Sequence, residues 1–256
     1  MTDYKAEAPT KASDQLGFRP KRFWKAAIAV KGANGHEVHL DGRPVKTPGG
    51  ATLAVPSAAL AGAIAAEWQA VDTHVEFTAM PLTCFAFAAI DRMASRYDDV
   101  VAEVLRYAET DLVCYPSEYP EALRAREDAA WLPLLEWAHT ELGLRFEQNQ
   151  SLIHLPQPPV TRDRLRDMIT AMTPYEQAGL MAAVPLLGSV VLALAVWRGR
   201  LSGVDAFAAS RIGEDFQAAI WGRDAEAEER ARHLRATAIS MDVWFRALTN
   251  AADPAA

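Results

Sequence analysis

Between residues 21 and 55 short apolar runs alternate with turn punctuation. FWKAAIAVK is followed by a turn ending at Asn34-Gly35, then HEVHL, Asp41-Gly42, RPVKT, Pro48-Gly49-Gly50 and ATLAV. Asn-Gly and Asp-Gly dipeptides between short runs are strong hairpin signals. The pattern predicts a small antiparallel β unit of about four strands. After Pro56 the period changes. Ser57 is placed to cap a helix running through LAGAIAAEWQA, because a serine oxygen can accept from an unpaired N–H of the first turn. THVEFTAMP reads as extended, and helices are expected over 82–94, 97–112, 120–142, 161–171, 174–198, 203–221 and 225–248. Gly143, Gly199 and Gly222 stand where helices should stop, since glycine accepts the left-handed conformation of a C-terminal cap. LIHLPQPPV at 152–160 reads as a strand or an extended linker.

The fold class that emerges is α+β: a small N-terminal antiparallel β domain followed by a larger, mainly α-helical domain. The expected boundaries are a disordered lead-in over 1–18, the β domain over 19–56 and the helical domain over 57–250. The lead-in has no apolar period to bury.

One segment raises the question of a membrane. From Ala178 to Trp197 no charge occurs, and that length would span a bilayer. Gly179, Pro185, Gly188 and Ser189 interrupt the run, which favours a buried core helix kinked at Pro185. The net charge of −7 and pI near 5.4 argue against nucleic acid as a partner. Cys84 and Cys114 show no metal spacing and are expected as free thiols in a reducing compartment.

Chemistry is sparse. No phosphate-binding loop, zinc-protease motif or nucleophile elbow occurs. His36 and His39, three apart on a strand, face opposite ways and cannot share a metal. No cofactor is expected, neither metal nor nucleotide. In SRIGEDFQAAIWGRD, starting at Ser210, helical spacing at about 100° per residue gathers Ile212, Phe216, Ala219 and Ile220 on one side. Glu214, Gln217 and Trp221 fall together on the other. The apolar stripe is expected to pack on the core. From spacing alone the second stripe is either a solvated face or a protein-contact patch, because a tryptophan beside a carboxylate suits an interface anchor. Glu214 and Asp215, adjacent on a helix, do not converge on one substrate atom.

Several blocks together carry a resemblance: KRFWK at 21–25, LDGRPVKTP at 40–48, LAVPSAALAGAIAAEW at 53–68, MPLTCFAFAAID at 80–91, YAETDLVCY at 107–115, LALAVWRGRLS at 192–202, and the SRIGEDFQAAIWGRD stretch. In order and spacing the chain resembles the Atp12 family, assembly chaperones for the F1 part of ATP synthase. It departs from that pattern at Pro116 and Gly213. The resemblance implies a non-enzymatic chaperone that binds the free F1 α subunit and covers the surface destined for the β subunit. A monomer without membrane insertion is expected, cytoplasmic in a bacterium or in the mitochondrial matrix after processing in a eukaryote. It also marks Glu214 as a required acidic position. The implied client-binding residues are Glu214, Gln217, Trp221, Asp215 and Asp111. Asp111 has a structural hydrogen bond as its competing role. Trp68 and Phe85 read as core, Arg43 and Lys46 as charges guarding a strand edge, and Cys114 as buried and inert.

Two other classes remain open: an enzyme whose acidic site has no linear motif, using Asp111 or Glu214, and a membrane-associated protein inserted through 178–197.

Overall fold

The computed structural model describes residues 20–149, 155–222 and 224–252. The 1–18 lead-in and the first part of the 152–160 segment fall outside these residues. Strands β1 (Ala27–Gly32) and β2 (Gly35–Leu40) form an antiparallel hairpin, with Ala27 opposite Leu40 and Gly32 opposite Gly35. The short strands β3 (Arg43–Pro44) and β4 (Ala54–Val55) both pair with β2. Between β2 and β3, Asp41 and Gly42 take positive φ values of 47° and 82°, as a tight primed turn requires. Val38 and Leu40 are buried in one cluster with Leu60 and Ile64 of α1 (Ala58–Ala70). The Ser57 Oγ accepts from the Leu60 N–H at 3.1 Å, so the expected cap forms.

The THVEFTAMP segment is extended only at its start. There Arg22 and Val75 exchange backbone bonds with Thr73 and Pro20, each at 2.8 Å. A 3₁₀ turn, Phe77–Ala79, then leads into α2 (Pro81–Asp91). The N-terminus of α2 is capped from outside. The Glu67 carboxylate on α1 accepts from the Leu82 and Thr83 N–H groups, both at 2.8 Å, and from the Thr83 hydroxyl at 2.7 Å.

The helical part continues through α3 (Tyr97–Glu109), α4 (Glu121–Leu142) and α5 (Pro159–Thr170). Gly143 stops α4 in the left-handed conformation, φ 70°. The apolar run expected as one helix over 174–198 is two: α6 (Pro174–Leu187) and α7 (Val190–Trp197). Pro185 lies inside α6. The break falls at Gly188, φ 61°, and Ser189 caps α7 by accepting from the Leu192 N–H at 3.0 Å. Every residue from Val190 to Val196 is buried, so the run forms the core. Among the described residues no helix is long and apolar enough to cross a membrane.

The helix expected over 203–221 is likewise two, α8 (Gly203–Ser210) and α9 (Ile212–Trp221), broken at Arg211; α10 (Ala225–Ala252) follows. Helix α10 lies across α8, α6 and α7 and buries Trp244 and Phe245. Glycines permit that approach. A Cβ on Gly203 would lie 1.9 Å from the Ala238 carbonyl oxygen, and one on Gly179 would lie 2.6 Å from the Phe245 ring. Trp68 and Phe85 are buried as expected.

Candidate functional site

Helix α9 is only lightly embedded in the helical body. It has no buried residue, and its principal neighbour is α4. On the α4 side the Arg126 guanidinium lies 5.2 Å from the centre of the Phe216 ring. Close by, a Cβ on Gly213 would sit 4.0 Å from Glu127 Oε1. Glu127 is buried and accepts from the N–H and hydroxyl of Ser117, at 2.6 and 2.9 Å. The Glu127 carboxylate thus stands between Gly213 and the residue that follows Pro116, and space does not demand glycine at 213.

The other side of α9 faces outward. Glu214, Gln217 and Trp221 are all exposed, Trp221 at 77%, and share one side as helical spacing requires. Glu214 pairs with Arg211, whose guanidinium stands 5.6 Å from the Phe207 ring on α8. The carboxylate is held in place yet is 63% exposed. An exposed pair of this kind contributes little to stability, about 0–1 kcal/mol.

The expected apolar stripe does not pack as a stripe. Phe216 is half-buried, Ala219 is exposed and Ile220 is 58% exposed. Ile220 and Trp221, both exposed at the C-terminal end of α9, form an apolar tip on the surface. Spacing could not show this, because the element that covers a stripe is set by tertiary packing.

Asp215 points elsewhere. It lines a cleft of about 400 Å³ between α8, α9 and α10, with Phe207, Arg211, Arg232 and Arg235. The sequence reading missed this cleft. The only available signal was a row of charges on a long amphipathic helix, and such charges usually read as solvated. Along α10, Arg230 and Glu226 approach to 3.8 Å, and Arg232 pairs with Glu229.

Asp111 does not belong to this surface. It is fully buried and accepts from the Val113 N–H at 3.2 Å and from the N–H groups of Val190 and Val191 at 2.7 and 3.1 Å. As a client contact it is corrected: an enclosed carboxylate bonded to the start of α7 cannot meet another protein. Burial pushes its carboxyl up to about 6, against the opposing pull of Ser189 and those N–H groups. Cys114 is buried and burial raises its thiol far above the ordinary range. Among the described residues no group of acids, histidines and cysteines is arranged to hold a metal. Glu214 and Asp111 do not meet, so the two candidate acids of an enzymatic reading form no joint site.

The family model for the ATP12 chaperone protein matches residues 21–139. The structure is similar to that of Atp12 from Paracoccus denitrificans, at TM-score 0.81 and 41% identity, covering 89% of this chain and 97% of that one. It is similar to a candidate chaperone from Agrobacterium tumefaciens, at TM-score 0.82 and 35% identity, covering 90% and 87%. The mitochondrial protein atp12 of Schizosaccharomyces pombe is 28% identical over 236 residues, covering 86% of this chain and 80% of that one. The chain belongs to the ATP12 chaperone family, whose work is the assembly of ATP synthase.

Proposed function

We propose that this chaperone binds the free α subunit of F1 through the outward side of α9 and shields the face that will later meet the β subunit. An unassembled ring subunit exposes apolar area that promotes aggregation, so a temporary cover is useful. The cover must also be displaceable, which favours a limited contact over an obligate one.

The observation that carries the reading is the exposed trio of Glu214, Gln217 and Trp221 beside Ile220. Trp221 and Ile220 supply apolar area at the tip of the helix. Glu214 supplies a charge that fixes register and speeds encounter. Its partner Arg211 can be exchanged for a client arginine or lysine at little cost, because the existing pair is solvated. Asp215 faces the adjoining cleft among Arg211, Arg232 and Arg235, where it offsets part of a basic lining that suits an acidic side chain of the same client.

Capture with separately expressed subunits tests this. Immobilised protein is expected to retain the F1 α subunit and not the β subunit. Retention of β alone, or of neither, contradicts the assignment.

A further inference from the structure

Strand β1 ends the sheet, pairing with β2 on one side and with no strand on the other among the described residues. The phase of its backbone follows from bonds at both sides of β2. The Asp41 N–H donates to the Ala26 carbonyl at 3.0 Å, while the N–H and carbonyl of Val38 serve Leu53 and Val45 on the far side. Antiparallel bonding alternates along a strand. Ile28 and Val30 therefore bond to β2, and Ala27, Ala29 and Lys31 turn their backbone groups to the open edge.

The first of these positions already has a substitute partner. Gln69 Oε1 accepts from the Ala27 N–H at 2.8 Å, and Gln69 Nε2 donates to the Lys25 carbonyl at 3.3 Å. One side-chain amide thus makes the pair of bonds that the N–H and carbonyl of one residue in a neighbouring parallel strand would make. Ala29 and Lys31, the next positions, are exposed and have no strand beside them among the described residues.

We propose that the β1 edge takes up, by strand addition, an extended client segment that is apolar in its middle and acidic at its ends. The apolar preference comes from Ile28 and Phe23, exposed at 51% and 72%. The acidic preference comes from local charge. Residues 20–46 carry six lysines and arginines against two acids, a net +4 within a chain of net −7. Lys25 and Lys31 flank the open stretch and are themselves exposed.

A second copy of the chain is a poor occupant. It would bring two basic surfaces together. A six-residue edge also offers far less than the roughly 800 Å² per partner of a stable association. Such an edge suits a weak, reversible hold on a client. The inference rests on the function proposed above only for the source of the segment.

The test uses the full chain and a short synthetic peptide alternating Val and Thr between terminal Glu residues. At saturating peptide, amide hydrogen exchange at Ala29 and Lys31 is expected to slow about tenfold or more. The same peptide with Lys ends should bind more weakly. Ala29→Pro removes an N–H that lies outside the β1–β2 ladder, so the hairpin should persist. Peptide binding should weaken about fivefold or more. Three results overturn the proposal: no binding at millimolar peptide, binding with free exchange at Ala29 and Lys31, or a folded Ala29→Pro variant that binds as the parent does. If that variant does not fold, exchange in the parent decides. Purified F1 α subunit separates the two readings. Capture of α with Ala29 and Lys31 exchanging freely defeats strand addition and leaves the chaperone assignment standing. Peptide protection without α capture defeats the α assignment and upholds the edge.

Discussion

Asp111 is bonded to Val190, 79 residues further along the chain, with its carboxylate 2.7 Å from the Val190 N–H. This bond fixes the start of α7 to the turn after α3. It also explains why a lone acid is tolerated in the core: the carboxylate satisfies N–H groups at the start of a helix that would otherwise be buried without partners.

The same residue gives a pH signature. Burial raises its carboxyl from 3.8 to about 6 in the folded chain. The folded state therefore binds this proton more tightly than the unfolded state. The group's contribution to stability is greatest below about pH 3.8 and declines as pH rises to about 6. Asp111→Asn should destabilise the fold by about 2–3 kcal/mol near neutral pH, because its amide would present hydrogens to N–H donors. It should also remove this component of the pH dependence. Urea unfolding of both proteins across that range checks the sign, and an unchanged slope in the variant contradicts it.

Leu192 and Phe216 should behave differently on truncation. Leu192 is fully buried in α7, so Leu192→Ala should cost about 2–5 kcal/mol through lost burial and a residual cavity. Phe216 is half-buried against Arg126. Phe216→Ala should cost only about 1–2 kcal/mol, on the order of half a buried side chain's transfer energy. Equal losses in denaturant unfolding would mean that α9 is packed more firmly than its exposure indicates.

Gly203 offers a steric test. A Cβ there would stand 1.9 Å from the Ala238 carbonyl oxygen. Backbone cannot yield as a side-chain tip can, so Gly203→Ala should destabilise by about 1–3 kcal/mol or more by separating α8 from α10. A thermal midpoint at or above the parent value contradicts the close approach.

Features marked by local chemistry were the legible ones. The hairpin turn at Asp41-Gly42, the Ser57 cap and the stop at Gly143 all stand where the residues themselves set backbone geometry. The division of α6 from α7 was half legible. Gly188 and Ser189 were visible as interruptions, but Pro185 drew the expected kink, although α6 continues through it. The break at Arg211 left no sequence signal, having neither glycine nor proline at the joint. For the candidate site, spacing grouped Glu214, Gln217 and Trp221 correctly on one side. It could not place Ile220, because whether α4 reaches that turn is decided by residues far away in sequence. Asp111 was misassigned for the same reason: its partners, Val190 and Val191, are invisible from its own neighbourhood.

The outward side of α9 as a docking surface for F1 α is tested most directly by titrating the isolated α subunit against the parent protein and Glu214→Lys. The substitution replaces an exposed, solvated partner of Arg211, so folding stability should change by no more than about 1 kcal/mol. Affinity for α should fall by about 2 kcal/mol or more, roughly thirtyfold. A folded Glu214→Lys protein that holds α as tightly as the parent would contradict the account.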